Sequence, residues 1–316
     1  MKIVNTLDPS LRPAIVMLLA GNGGVGKTTF GATAPKPILA DCENGTKYLG
    51  LRGIKMDIAK IENWADAKEF LEFVKGGDYE TVIIDPLDEM MSKLKGAIIA
   101  SNDPKLVQRD GSPTMAGWGK MKQDLKDYLK VLRDCGKHVL IIAHVEEKDN
   151  DGVLVKRPKV ETKLSADIVD MVDIVGYMEV VESDGITKRI IRVEEKNDRY
   201  VAKDRTGQLG SVVEPDFAKI INACQGTEKY SWSRSEEVKR GVKNSLAPIE
   251  TGEKKEETKK APEKKSAKKE NVFADEIEKV LDEDLAPIKE DKVADKKDAL
   301  KEKLSKAKSR VKVSLE

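Results

Sequence analysis

The chain has 316 residues and a formal net charge of +1, with hydrophobic residues at 39% and charged residues at 36%. A balance so near neutral excludes a polycation overall, so any nucleic-acid surface must be local. Three widely spaced cysteines, Cys42, Cys135 and Cys224, exclude a disulfide framework or a Cys-x-x-Cys zinc site and read as reduced thiols.

Charge is unevenly spread. From about Asn244 onward the chain is mostly Lys, Glu, Asp, Ala and Ser. The composition therefore predicts an N-terminal extension over 1–11, a globular domain over 12–243 and a charged, mostly disordered tail over 244–316. Within the tail, Phe273, Ile277, Val280, Leu281 and Leu285 fall near helical spacing, as in a segment that folds on a partner. No stretch approaches the roughly 20 apolar residues of a membrane span. The apolar run Ala14–Ala20 is too short for a signal peptide and leads directly into glycines. A soluble, cytoplasmic protein is expected.

Ala14–Ala20 is uninterrupted by polar residues, as in a strand buried on both faces of a parallel sheet. Ile38–Ala40 is a second short run. Asn63–Val74 has helical spacing through Trp64, Ala67, Phe70, Leu71 and Val74, and Gly76-Gly77 stops it. Thr81–Asp85 is a third buried strand ending in a carboxylate. Asp88–Ala100 reads as a helix, Ser101–Gly117 as a polar loop, and Trp118–Cys135 as a long amphipathic helix. His138–His144 is a fourth strand. Glu146–Lys163 is charged and turn-rich. Asp173–Glu182 and Thr187–Glu194 read as a β-hairpin joined through Ser183-Asp-Gly185. A strand at Ser211–Val213 and a helix at Asp216–Cys224 close the globular part. This alternation predicts an α/β fold with a mainly parallel central sheet and a C-terminal β-hairpin.

Gly21-Asn22-Gly23-Gly24-Val25-Gly26-Lys27-Thr28-Thr29 follows the first strand and opens a helix. A glycine-rich turn in that setting wraps phosphates with its backbone N–H groups, aided by the helix N-terminus. Lys27 would reach the β- and γ-phosphates, and the Thr28 hydroxyl would bind Mg²⁺. The motif makes the chain a P-loop nucleoside triphosphatase, with ATP and Mg²⁺ as expected cofactors. Asp85 would hold a magnesium-bound water. Glu43, just past the second strand, is the candidate group that activates water, with Glu89 as the alternative. His144 ends the strand expected beside Asp85 and is placed to sense the γ-phosphate; His138, at the start of that strand, reads as structural.

Ala40-Asp41-Cys42-Glu43 is similar to the segment bearing the catalytic glutamate in RecA and RadA recombinases. The hairpin followed by Lys203-Asp204-Arg205-Thr206-Gly207 resembles the end of RadA and DnaB-helicase cores. The resemblance, over about residues 12–225, implies a RecA-like core that self-associates as a ring or filament. It also implies that Lys203 and Arg205 reach a neighbouring subunit's nucleotide. The small core and charged tail resemble phage-encoded nucleotide-binding proteins of this type, some of which anneal single strands. Partitioning ATPases share Gly-Gly-Val-Gly-Lys-Thr-Thr but carry a second lysine where this chain has Asn22.

By this resemblance the loops Ser101–Gly117 and Glu146–Lys163 would face single-stranded DNA, through Lys156, Arg157, Lys159 and Lys163. Trp118 is a candidate base-stacking residue or a core residue. The readings that follow are an ATPase acting on single-stranded DNA in phage recombination, annealing or replication; a loader that recruits a replication or single-strand-binding protein through its tail; and a packaging or partitioning motor.

Overall fold

A computed structural model describes residues 5, 14–150, 153–160, 162–183, 186–195 and 199–231. Apart from Asn5, the 1–11 extension lies outside these residues, as do the charged tail over 244–316 and the 273–285 helical segment within it.

Among the described residues a nine-stranded sheet runs in the order β11-β9-β8-β1-β5-β4-β2-β3, with β10 paired to β8. These strands are β1 (Val16–Gly21), β2 (Pro37–Asp41), β3 (Asp57–Lys60), β4 (Thr81–Asp85), β5 (His138–Ala143), β8 (Ile174–Ser183), β9 (Ile186–Arg192), β10 (Lys203–Asp204) and β11 (Val212–Val213). Six of them, from β8 through β1, β5, β4 and β2 to β3, pair in parallel. β9, β10 and β11 add antiparallel pairs at the other edge. The expected mixed α/β fold with a mainly parallel sheet and a late hairpin is therefore present.

Alternate residues of each central strand feed opposite faces. Val16, Leu18, Ile84, Val139 and Ile141 pack beneath α2 (Trp64–Gly76), α3 (Leu87–Ala100), α4 (Met115–Arg133) and α5 (Thr162–Met171). Met17, Leu19, Ile83, Leu140 and Ile142 pack beneath α1 (Lys27–Gly31) and α6 (Phe217–Cys224), where Phe30 meets Phe217 at 5.3 Å. With both faces covered, the continuous apolar character of β1, β4 and β5 follows. Side-chain caps begin the helices where the sequence supplies them: Asn63 and Asp66 form a capping box on α2, and Asp216 caps α6.

Several expectations are corrected. The helix expected from Trp118 begins at Met115, capped by the Thr114 hydroxyl, which accepts from the Gly117 N–H. Gly117 breaks nothing; a Cβ there would lie 2.2 Å from the Leu106 carbonyl oxygen, so glycine lets the preceding loop cross the first turn. Trp118 packs against the core with the Lys95 ammonium 5.0 Å from its ring, which assigns it to the core rather than to base stacking.

Glu146–Lys163 is not simply turn-rich. It forms an antiparallel pair, β6 (Val145–Asn150) with β7 (Val153–Pro158), and then enters α5, where Lys163 falls. Leu164, Ile168 and Val172, four residues apart, carry α5 and its C-terminal end onto the core. β3, an edge strand with mostly exposed side chains, and β10 carry no apolar run and were not expected.

His138 shows why β5 begins where it does. Its Nδ1 accepts the Ile15 N–H at 3.0 Å, closing the edge between β1 and β5. Burial lowers its pKa from the ordinary histidine value despite the opposing pull of Glu80. The folded state thus favours the neutral ring, while the unfolded chain takes up a proton near pH 6.5. This contribution to stability is complete above that pH and is lost as pH falls through the lowered folded value. Urea unfolding between pH 7.5 and 5 is expected to show it; His138→Asn, which keeps an acceptor, is expected to flatten that part of the profile. Asp85, raised by burial, has the opposite sign, so the difference between variant and wild type isolates His138.

Candidate nucleotide site

The carboxyl ends of β1, β2, β4 and β5 lie together, because these strands are parallel and in register: Ala20 stands opposite Ala143, and Asp41 opposite Asp85. Parallel sheets place ligand sites at this end. Gly21 ends β1, and the turn Asn22–Gly26 leads into α1, with Gly26 at φ 107° and Gly24 at φ 76°. Those backbone angles suit glycine and turn successive N–H groups toward one concavity.

Lys27 is buried, and its Nζ donates to the Gly21 and Asn22 carbonyls at 2.8 and 2.9 Å. Burial lowers its pKa, against the pull of Asp85, Glu43 and Asp88. The Thr28 hydroxyl donates to Asp85 Oδ2 at 2.7 Å. Asp85 is buried, and burial pushes its carboxyl up to about 6, the Glu43 charge adding to the effect while Thr28 and Lys27 oppose it. A hydroxyl and a buried carboxylate in contact are hard oxygen donors, and the carboxylate's charge lacks full compensation. They fit Mg²⁺, which would be held through Thr28 and, through water, Asp85.

Glu43 stands on a turn built by Asp41. That buried carboxylate accepts from Thr46 Oγ1 at 2.6 Å, Lys60 Nζ at 2.5 Å and the Gly45 N–H at 3.2 Å. Burial raises the Asp41 pKa, but the bonds from Lys60 and Thr46 more than offset it, leaving the group below its ordinary value. Glu43 Oε2 lies 4.0 Å from His144 Nε2. On the other side of the ring, His144 Nδ1 bonds Asp88 Oδ2 at 2.9 Å. Glu89, the alternative base, is on the first turn of α3 beside Asp88. Cys42, between Asp41 and Glu43, is buried, and burial pushes its thiol up to about 12.

The expected loop residues and Thr28, Asp85, Glu43 and His144 are thus brought to one end of the sheet. Lys203 and Arg205 are not. β10 pairs with the start of β8, at Ile174 and Val175, and Ile174 stands opposite Met17 on β1. Four residues of strand separate Met17 from Gly21, about 13 Å. Lys203 Nζ donates to the Val169 carbonyl, and Arg205 donates to the Asp170 carbonyl at 2.9 Å, both at the end of α5.

The cations expected to meet DNA are also distributed. Lys156 is half-buried, 5.4 Å from the Tyr177 ring, and Tyr177 stacks on Tyr200 at 5.5 Å. Arg157 is half-buried, with an Nε shielded from solvent. Lys159 is exposed; its N–H donates to the His144 carbonyl at 2.7 Å, and its Nζ lies 3.8 Å from Asp88 Oδ2.

Four site residues escaped the sequence reading. Asp41 and Asp88 sit two and three residues from Glu43 and Asp85, so proximity to those groups was the available signal. Lys60 and Arg189 become visible only through strand pairing. Arg189, on β9, donates from Nε to the Val25 carbonyl at 3.0 Å, and its Cδ lies 3.4 Å from where a Gly26 Cβ would stand. It therefore braces the phosphate loop from the flank opposite Glu43. Arg189→Ala is expected to weaken ADP and ATP binding by a similar factor, about 3- to 10-fold, as for the loss of roughly one ordinary hydrogen bond bracing the loop, with little change in turnover at saturation. Titration of both nucleotides checks this.

A family model described as AAA domain matches residues 14–206. Comparison with curated proteins gives no match. Among solved structures, the flagellar accessory protein FlaH from Methanocaldococcus jannaschii is similar at 11% identity and a TM-score of 0.33, covering 61% of this chain and 84% of that one. The family match runs from the start of β1 past Lys203 and Arg205, takes in the phosphate loop, Asp85 and His144, and spans more than half of the sequence. The chain belongs to the AAA domain family of P-loop ATPases.

Proposed function

We propose that this protein is a magnesium-dependent ATP hydrolase that works as an oligomer on single-stranded DNA, in phage recombination, annealing or replication in the host cytoplasm. The observation that carries the hydrolytic part is the convergence of Lys27, the Thr28–Asp85 bond, Glu43 and His144 at one sheet end. Family membership supports a nucleotide-binding ATPase domain.

In this reading the loop N–H groups and Lys27 bind the phosphates, and Lys27 stabilises charge on the leaving oxygen. Mg²⁺, when bound, supplies further neutralisation of phosphate charge. Glu43 takes the proton of the attacking water. The γ-phosphate would face Glu43 and His144.

Lys203 and Arg205 lie too far from this chain's own loop to serve it, so they act on a neighbour's nucleotide. The sheet position of β10 supports that placement. Single-stranded DNA contacts the β6–β7 pair, which leaves β5 directly after His144 and returns to it at Lys159. Of the three basic candidates there, Lys159 is the exposed one; Lys156 and Arg157 are partly withdrawn into the domain.

ATPase rates with and without single- and double-stranded DNA, alongside native mass, test the proposal. Single-stranded DNA is expected to raise the rate and duplex to do so less; no response to any single strand would remove the DNA assignment while leaving the ATPase assignment standing. Glu43→Gln is expected to lower kcat about 100- to 1,000-fold with nearly unchanged ATP affinity. Arg205→Ala is expected to lower turnover sharply at unchanged ATP affinity, since a trans-acting cation works in the transition state. Mixing Arg205→Ala with Lys27→Ala subunits is expected to recover part of the activity. Absence of recovery at every ratio counts against the trans placement.

A further inference from the structure

His144 is held by Asp88 through three contacts. Its Nδ1 is 2.9 Å from Oδ2 and 3.2 Å from Oδ1, and its backbone N–H approaches Oδ1 at 3.4 Å. Asp88 is buried, on the first turn of α3, three residues after Asp85. A carboxylate in its ionised form only accepts hydrogen bonds, and these contacts then favour the Nδ1–H tautomer of a neutral ring. Nε2 then carries a lone pair and faces Glu43 Oε2 across 4.0 Å. Two acceptors sharing one water, each about 2.8 Å from its oxygen, stand roughly 4 to 4.5 Å apart.

We infer that Asp88 is a positioning residue that fixes the Nδ1–H tautomer of His144, and that His144 Nε2 and the Glu43 carboxylate together orient the attacking water. The inference rests on the hydrolytic reading and goes beyond it. It changes the part played by His144: a ring with an unprotonated Nε2 cannot donate to a γ-phosphate oxygen, so His144 acts as an acceptor for water. A water that donates one O–H to Nε2 and the other to Glu43 has its lone pairs left for phosphorus. Its oxygen bonds the γ-phosphorus and its proton passes to Glu43. The bond from that phosphorus to the β–γ bridging oxygen breaks, giving ADP and inorganic phosphate. The Lys159 N–H on the His144 carbonyl anchors the backbone of that residue from just past β7. The closing arrangement resembles the use of a buried Asp to set a catalytic His tautomer elsewhere in enzymology, with water in place of a serine hydroxyl.

Two measurements on the full chain decide it. The chain has only two histidines, so long-range ¹H–¹⁵N spectra of histidine-labelled protein, taken where both rings are neutral, resolve each tautomer. His138, whose Nδ1 accepts the Ile15 N–H, is expected as Nε2–H, and His144 as Nδ1–H. A His144 ring protonated on Nε2 would overturn the inference, whether or not the protein hydrolyses ATP. The second measurement is a mutant cycle. Asp88→Asn and His144→Ala are each expected to lower kcat about 100-fold, the lower range for a general acid–base partner, with the KM for ATP within about twofold. The double variant is expected to be no slower than His144→Ala alone, because Asp88 acts through that ring. Wild-type kcat in Asp88→Asn, or effects that multiply, would overturn it. A wild-type chain without ATPase activity would instead sink the hydrolytic reading, and the spectra would still decide the tautomer.

Discussion

The 2.7 Å bond between the Thr28 hydroxyl and the Asp85 carboxylate joins two strands that do not touch. Thr28 is carried by β1 through the phosphate loop, Asp85 ends β4, and β5 lies between them. The bond is possible because all three strands run parallel and end within about two residues of one another across the sheet. The intervening strand is thereby compelled to end inside the site, and its next residue, His144, has nowhere else to go. Register along β2 does the same for Glu43, with Asp41 clamped by Lys60 and Thr46 so that the following turn cannot drift. One alignment of strand ends thus assembles the acceptors, the cation and the loop.

What was legible in the sequence was local. Gly21–Thr28 carries its function within eight residues and needs only a strand before it and a helix after it. The runs Val16–Ala20, Val82–Ile84 and Val139–Ala143 announce strands because both faces of the sheet are covered. Edge elements gave no such signal. β3 exposes most of its side chains, and charges fill β6 and β7. The Asp151-Gly152 pair between Asn150 and Val153 is a strong two-residue hairpin signature, and the surrounding charges obscured it. α5 was hidden by the same charge density, although Leu164, Ile168 and Val172 keep a four-residue spacing.

The site itself divides along the same line. Single residues with a strong type preference, Lys27, Thr28, Asp85 and Glu43, could be named from their neighbours in the chain. Groups that act through a second residue could not. Asp88 matters because of the ring of a histidine 56 positions later. Arg189 reaches Val25 across 164 positions. The basic residues show the converse. Charge in the sequence suggested that Lys156 and Arg157 were free for a polyanion, whereas Lys156 lies against Tyr177 and both are half-buried. A cation over a buried aromatic pair stabilises packing and has less to offer a ligand.

Lys203 and Arg205 carry a consequence for assembly. In the single chain both spend their hydrogen bonds on carbonyls at the end of α5, where a helix favours positive charge. Under the trans-acting role proposed for these cations, an incoming phosphate would have to compete with bonds already made, and docking of a neighbour would be an exchange of partners rather than the capture of idle cations. The free energy released would be the difference between two satisfied states. Such an exchange would make the proposed contact between subunits readily reversible, with a strength set by whether the neighbour's loop holds a triphosphate, a diphosphate or nothing.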